Sequence, residues 1–421
     1  MTVVAEPRTV TPVPAGRGRW RFTLHRRQFD PSVQWASTLV ADLVNARGRR
    51  LDQKWNTGAE LTFTLNGADP SAALVVELAT DVIAWRWDET SATDVAMFRG
   101  LVTHSEDQLS ADTDVVTFTA HDYVAMLERR LLTGPYVVTA TDQDTIAAAM
   151  LTWGGSSSSG TSFAPGSYLP LAYTRVNPDG TTRAGLSGQL RDRTYAGNTV
   201  AGTAFADLAK VIGGFDYDVI PGARTTTSGV DQLRVFYPAQ GVTRSDVALV
   251  YGSTLSALTR AVNSADYANY VRVLGNNGSS DPAAAQLKGE AWNSDANNVT
   301  TNPVGLWQTG DNAADVTLQA TLDQTAAGEL ALDGVLTPAY TVTMRPGAYT
   351  FGYPNLGDTV PLVVIAGRLN VNSSVRVLGI TYTISDDGDE VVDLAVGRPP
   401  VTSLAGLLAQ GARDIDALTR R

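Results

Sequence analysis

Cysteine is missing from all 421 residues, so the chain has neither a disulfide framework nor a thiolate metal site. Histidine is nearly as scarce: His25, His104 and His121 are the full set, and no HExxH or other zinc-type spacing connects them. Lysine occurs only at Lys54, Lys210 and Lys288, and the formal net charge is -11. A static grip on nucleic acid or anionic lipid needs clustered cations, which this balance excludes; a polyanion passing nearby without sticking remains compatible with it. No apolar run approaches the roughly 20 residues of a membrane-spanning helix. Met1 to Arg19, rich in Pro, Val, Thr and Arg, lacks the apolar centre of a signal peptide. Together these absences predict a protein made in the cytosol that does not insert into a membrane.

What is present is globular. Hydrophobic residues make up 43% and charged residues 18% of a chain long enough for several cores. Two distant stretches have the same character. Met97–Thr103, a polar interval and Asp114–Ala120 precede a short amphipathic segment reaching Leu132. Gly357–Val364, Val375–Ile384, a turn at Asp387-Gly388 and Glu390–Val396 form the second set. Each reads as antiparallel strands with one buried face. Such a repetition without a catalytic cluster points to a structural ring component rather than an enzyme.

Along the chain, Trp20–His25, Leu61–Leu65 and Val82–Trp87 alternate as strands, and Val116, Phe118 and Ala120 share one face while Thr117 and Thr119 share the other. Asp122 is placed to cap a helix lined by Tyr123, Met126, Leu127 and Leu131. Helices are predicted at Asp142–Trp153, Thr203–Ile212, Leu255–Val262 and Val316–Asp333, and a hairpin from Phe215–Ile220 and Gln232–Tyr237. Gly154–Gly160 and the polar stretch 161–194 read as exposed loop, and 276–315 as a long surface excursion.

The candidate chemistry is thin. His121-Asp122 invites reading as half of a catalytic triad, against strand-to-helix punctuation with Asp122 as the cap. Gly252-Ser253 lacks a nucleophile elbow, and the serines of 154–160 have no strand to strain them. Nearly all of the acidic pairs Asp88/Glu89, Glu106/Asp107, Asp112/Asp114 and the run Asp386/Asp387/Asp389/Glu390 fall in turn contexts. Asp112/Asp114 and Asp387/Asp389 have oxygen-ligand spacing for Ca²⁺, but no twelve-residue loop follows either. Catalytic, cofactor and metal residues are therefore expected to be none. Trp85 and Trp87 share a strand face, suited to a sugar platform or to a packed core or interface. Trp292 and Trp307 mark the 276–315 loop as a contact for a receptor or neighbour. From Ser403 on, Leu404, Leu408, Gly411, Ile415 and Leu418 recur at spacings of four and three, a partner-binding helix too short to be stable alone.

In order along the chain, Phe98-Arg99-Gly100, Phe118-Thr119-Ala120-His121-Asp122 before Leu127–Leu131, Phe205–Ala209, Val250–Leu255, Tyr270–Gly275 and Gly357-Asp358…Leu378-Gly379-Ile380…Asp387-Gly388 resemble the baseplate hub proteins of tailed bacteriophages. Those proteins are related in fold to the hub part of contractile-tail and type VI spike proteins. The resemblance spans about residues 20 to 398. It implies a mainly β fold with α+β insertions, in which two tube-type β-barrel domains flank an inserted α+β domain. The divisions that follow are an N-terminal arm 1–19, a first hub barrel 20–134 and an inserted domain 135–275 with a flexible loop 154–194. A surface loop 276–315, a second barrel 316–400 and a C-terminal helix 401–421 complete them. The resemblance also implies a homotrimeric ring that continues the tail-tube channel in the virion, after synthesis in the host cytoplasm. Its partners would be the distal tail ring and fibre, spike or tape-measure proteins, with DNA only in transit. The alternative is a tail-associated cell-wall hydrolase or carbohydrate-binding adhesin on the same sheets.

Overall fold

Strand alternation accounts for most of the architecture. The structure, a computed structural model, describes residues 19–397 apart from 29–35, 89–90, 133–134, 156–168, 212, 222–229, 263, 266, 276–285, 295, 297–299, 301–303, 314–318, 337 and 349–353. The C-terminal residues Leu404, Leu408, Ile415 and Leu418 lie outside the described residues. The chain divides into two compact units, one of 1–258 with 341–396 and one of 259–340 with 397–421.

The first unit opens with β1 (Trp20–Gln28), β2 (Ala36–Asp42), β3 (Arg47–Lys54), β4 (Glu60–Asn66), β5 (Thr80–Asp88), β6 (Thr93–Leu109) and β7 (Asp114–His121), closed by the helical turn α1 (Val124–Leu127). Leu61, Phe63 and Leu65 of β4 stand beside Ala120, Phe118 and Val116 of β7, all buried, and Phe63 stacks on Phe118 at 5.2 Å. Burying such side chains is worth about 1.5–3 kcal/mol each.

An α+β segment follows: β8 (Tyr136–Asp142), α2 (Gln143–Gly155), β9 (Leu171–Val176), β10 (Leu190–Tyr195), α3 (Ala201–Lys210), β11 (Asp216–Ile220) and β12 (Asp231–Phe236). The predicted hairpin is β11–β12, and β9 adds to it in parallel. Strands β9 and β10 lie in the stretch read as loop; β9 buries only its end residues Leu171 and Val176, too few to signal a strand in sequence. Phe205 of α3 meets Phe215 and Tyr217 edge-on, and this core runs on into Tyr123 and Leu127.

The chain then enters β13 (Leu249–Val250) and β14 (Leu255–Ala261). Leu255–Val262, predicted helical, is thus an extended edge strand: its Leu, Ala and Leu spacing fits either period, and pairing decided the matter. The second unit holds β15 (Tyr270–Gly275), β16 (Lys288–Trp292), β17 (Gln308–Ala313) and α4 (Gln319–Asp333). Two of these strands fall within the predicted surface excursion. Helix α4 packs Leu322 and Ala326 on Val271 and Val273. The sequence division 316–400 groups this helix with the second barrel, whereas its buried residues pack on β15.

Back in the first unit, β18 (Ala339–Met344), β19 (Thr359–Ala366), β20 (Leu369–Ile384) and β21 (Glu390–Gly397) complete the fold. One 13-stranded sheet runs β14-β18-β21-β20-β3-β4-β7-β6-β5-β1-β2, with β19 beside β20 and β13 beside β19. Within it a pattern occurs twice: β3-β4-β7-β6-β5 and β14-β18-β21-β20-β19 have the same order in space and along the chain. Each copy is built on one long strand. Strand β6 pairs with β5 through Leu101 and with β7 from Leu101 onward; β20 pairs with β19 through Arg376 and with β3 from Gly379. Gly100 sits at the first of these bends, where a Cβ would lie 2.3 Å from the Phe98 ring and 2.5 Å from the His121 carbonyl. These two lobes are the two sheets legible in the sequence, joined edge to edge by β20 and β3.

Candidate functional site

Three features of the first unit bear on function: a polar sheet face, two open strand edges, and the junction that fixes the lobes to the α+β segment.

The face opposite the core is set by register. Thr383, Arg50, Thr62, Thr119 and His104 are neighbours across five strands, and Thr381, Asp52, Glu60 and His121 form the adjoining row. Thr64, Thr117 and Glu106 form a third. Its charges are largely paired within the face: Arg50 donates to both Asp52 oxygens at 2.8 and 3.1 Å, and His121 Nε2 lies 3.3 Å from Glu60. The result is a wall of hydroxyls whose arginine is engaged by Asp52 and whose Glu60 and Glu106 leave it acidic.

The edges differ between lobes. In the second lobe β3 covers β20 over Gly379–Ile384. The corresponding end of β6 meets a loop, through Leu78 N donating to Val102 O (2.8 Å) and a Ser105–Glu77 hydrogen bond. Among the described residues, Glu106 to Leu109 have a strand on one side only, β7. Ser110 N donates to Thr113 O at 2.7 Å and closes the hairpin, so Asp107 and Leu109 turn their backbone groups outward. Strand β14 is likewise terminal: among the described residues β18 is the strand beside it, apart from a bridge of Leu255 to Tyr251.

At the junction, Arg376 of β20 donates to Asp216 Oδ2 of β11 (2.5 Å), to the Gln240 carbonyl (2.8 Å) and to the Gly357 carbonyl (3.0 Å). Asn56, from the β3–β4 turn, donates to Asp216 (3.1 Å) and accepts from Tyr217 N (2.8 Å). Gly241 and Gly357, both at positive φ, bring two backbones so close that a Cβ on Gly241 would lie 2.0 Å from the Gly357 carbonyl carbon. A cleft of about 450 Å³ opens here, lined by Lys54, Asp122, Asp218, Arg234 and Arg244 among others. A second buried cluster joins the first lobe to β12: Tyr123 OH donates to Asp81 (2.8 Å), and Arg99 lies between Asp81 (3.7 Å) and Asp231 (3.5 Å). Arg27 and Arg99 both stand over the Tyr123 ring.

The residues singled out as candidate chemistry scatter. His121 Nδ1 meets Thr103 Oγ1 at 2.7 Å on the open face, while Asp122 turns inward and accepts from Ala59 N (2.6 Å) and Val124 N (3.0 Å). The two do not form a dyad; the cap position of α1 falls to Tyr123, and Asp122, expected as the cap, instead makes an Asx-type turn onto Val124 N just before the helix. Burial pushes its carboxyl up to about 7, against the two backbone donors. His25 is enclosed, 2.8 Å from Thr23 Oγ1, and burial, then nearby Arg99 and Arg21, lowers it to about 4. Ser253 lies in the β13–β14 turn, held by Thr254 Oγ1 on the Ala248 carbonyl. Glu390, read as a turn residue, is buried and receives Arg86 at 2.7 and 3.0 Å and the Trp20 indole at 2.5 Å. No trio of His, Asp or Glu suited to a metal occurs among the described residues. Trp85 is buried, its indole on Thr23 Oγ1 at 2.8 Å, while Trp87 lies under Arg19 near the surface. Trp292 and Trp307 are both about half exposed, at 56% and 47%.

No protein-family model and no curated protein matches the sequence. The fold is matched by solved tail proteins. The 43 kDa tail protein of prophage MuSo2 from Shewanella oneidensis is 12% identical at a TM-score of 0.56, over 90% of this chain and 99% of that one. A tail protein from Neisseria meningitidis MC58 is 11% identical at a TM-score of 0.52, over 90% of this chain and 96% of that one. The structural neighbours are phage tail proteins, and this chain has their fold.

Proposed function

We propose that the protein is the baseplate hub of a phage tail, a trimeric ring whose channel continues the tail tube and passes DNA during delivery. The observation that carries this reading is the internal repeat with its unequal edges. Within one chain, lobe two meets lobe one through β20 and β3. Their equivalents are the Glu106–Leu109 end of β6 and the strand β14, each with one edge that no strand covers among the described residues. An unpaired edge is a template for another chain. If β6 of one copy takes β14 of the next, the intrachain joint recurs between subunits and three copies close six similar lobes by rotation.

In such a ring each lobe serves as one barrel-type wall segment and the threonine face lines the bore. Hydroxyls and internally paired charges offer a polyanion no cluster of free cations, which suits passage rather than capture. Distal tail ring, tape-measure and fibre or spike proteins are the neighbours, with Leu404, Leu408, Ile415 and Leu418 as one docking element. The protein is then a structural virion component with no catalytic role.

Light scattering with negative-stain imaging tests the reading. A trimer showing a threefold ring with a central hole is expected. Because the chain is cysteine-free, Gln108→Cys combined with cysteines placed singly along Ser256–Leu258 should give disulfide-linked trimers. A persistent monomer that digests cell wall would replace the hub with a tail-associated hydrolase.

A further inference from the structure

The second unit has a face that the ring does not explain. Register places nine residues of β16, β15 and β17 in a three-by-three grid on one side of the sheet: Trp292–Tyr270–Gln308, Glu290–Arg272–Gly310 and Lys288–Leu274–Asn312. The other side is closed by α4; at Gly289 a Cβ would lie 2.2 Å from the Leu322 carbonyl oxygen. On the open side Tyr270 and Trp292 lie within 19° of parallel, ring centroids 6.3 Å apart.

The polar groups around these rings are already held. Glu290 Oε1 receives the Tyr270 hydroxyl (2.6 Å), Arg272 Nε (2.9 Å) and Lys288 Nζ (3.2 Å), and Arg272 Nη2 also donates to the Tyr270 oxygen (2.9 Å). These bonds, that to Tyr270 first, hold the Glu290 carboxyl below its usual range. One carboxylate shared by two cations and a phenol fixes the Tyr270 ring in place and leaves the cluster a single net positive charge. Beside it the exposed Gln308 and Asn312 carry carboxamides, and Gly310 leaves the middle of the third strand without a side chain.

We propose that this face binds a neutral saccharide, with a sugar ring stacked on Trp292 and Tyr270 and its hydroxyls on Arg272, Gln308 and Asn312. A rigid aromatic row serves an apolar ring face at small entropic cost, and carboxamides and guanidinium serve hydroxyls. An anionic polymer would need a cluster of free cations, and Glu290 offsets one of the two present, Arg272 and Lys288. A protein anchor residue calls for a pocket, and the grid offers a row of near-parallel rings instead. This inference does not depend on ring formation.

The test uses the full-length protein on an array of immobilised neutral oligosaccharides of glucose, galactose, rhamnose and N-acetylglucosamine. Hits are followed by tryptophan fluorescence titration. Saturable binding of at least one is expected, weakened about tenfold or more by Trp292→Ala. Tyr270→Phe, which keeps the ring but removes the hydroxyl holding Glu290, should weaken it about threefold. Gly310→Gln fills the gap from the solvent side, where a Cβ meets nothing nearer than the Arg272 carbonyl oxygen at 3.3 Å, and should block binding without unfolding the unit. Unchanged far-UV circular dichroism and thermal transition confirm that each variant is folded. Silence across the array, binding indifferent to Trp292→Ala and Gly310→Gln, or a response confined to heparin or dextran sulfate overturns the proposal.

Discussion

The two lobes share a strand order but differ in what lies along the edge of their long strands. Strand β20 is covered by β3, whereas the end of β6 has β7 on one side and no strand on the other among the described residues. They differ as well in the connection that precedes the long strand: β3 and β4 are joined by a short turn, while β14 and β18 are separated by the whole second unit. Yet each long strand sends a buried arginine to an aspartate of the α+β segment, Arg99 to Asp231 and Arg376 to Asp216. The segment therefore clamps both lobes, and the asymmetry is confined to edges and connections.

The clamps offer the largest effect. Arg376→Met strips the cation from Asp216, a residue only 2% exposed, and should cost about 3–5 kcal/mol in denaturant unfolding. Arg99→Met should cost less, about 2–3 kcal/mol, because Asp81 keeps Arg27 and the Tyr123 hydroxyl. Equal losses would show that the two clamps are interchangeable and undo this part of the comparison.

Proline at the two edges sharpens it further. Gln53→Pro, inside β3 between β20 and β4, removes ladder bonding in mid-sheet and should cost the subunit about 3 kcal/mol. Asp107→Pro loses an N–H that points outward and should change subunit stability by less than about 0.5 kcal/mol. It should nonetheless abolish the proposed trimer, as read by light scattering. A trimer that survives Asp107→Pro would move the subunit contact to another surface while leaving the intrachain joint intact.

How much of this was legible follows from the same contrast. Lobe strands with apolar alternation, such as Leu61–Leu65, Val116–Ala120 and Glu390–Val396, announce themselves because one face is buried. The joint does not: β3 reads Arg-Gly-Arg-Arg-Leu-Asp-Gln-Lys, and its place in the sheet comes from cross-strand pairs such as Arg50 with Thr62 and Thr383. Short strands β9, β16 and β17 were hidden for a related reason, each adding few buried side chains to a pairing set elsewhere. The polar wall was half visible as the Thr117/Thr119 alternation, but only register aligns it with Thr62 and Thr383. Glu390 was misplaced because an acidic residue after Asp-Gly looks like turn chemistry until Arg86, 304 positions away, is found beside it. Of the aromatic pair on the second unit's sheet, Trp292 stands out by its type, while Tyr270 reads only as part of a strand until register sets the two rings side by side.

The smallest net effect concerns pH, and it too separates the lobes, since both groups involved belong to the first. His25, lowered to about 4, is neutral in the fold and gains a proton on unfolding below about 6.5, so its contribution is present at neutral pH and is lost as pH falls from 6.5 toward 4. Asp122, raised to about 7, holds a proton in the fold that the unfolded chain releases above its ordinary value near 3.8. Its contribution is present in acid and is lost as pH rises through about 7. Between pH 4 and 6.5 the two slopes oppose each other, each at most about 1.4 kcal/mol per pH unit, so their summed contribution should be nearly flat. His25→Asn removes one side of the balance and should leave a protein that gains stability as pH falls through this window. Asp122→Asn removes the other and should leave one that loses it. Urea unfolding at half-unit pH steps reads both signs; parallel curves for the two variants would mean that neither group carries its shift into stability.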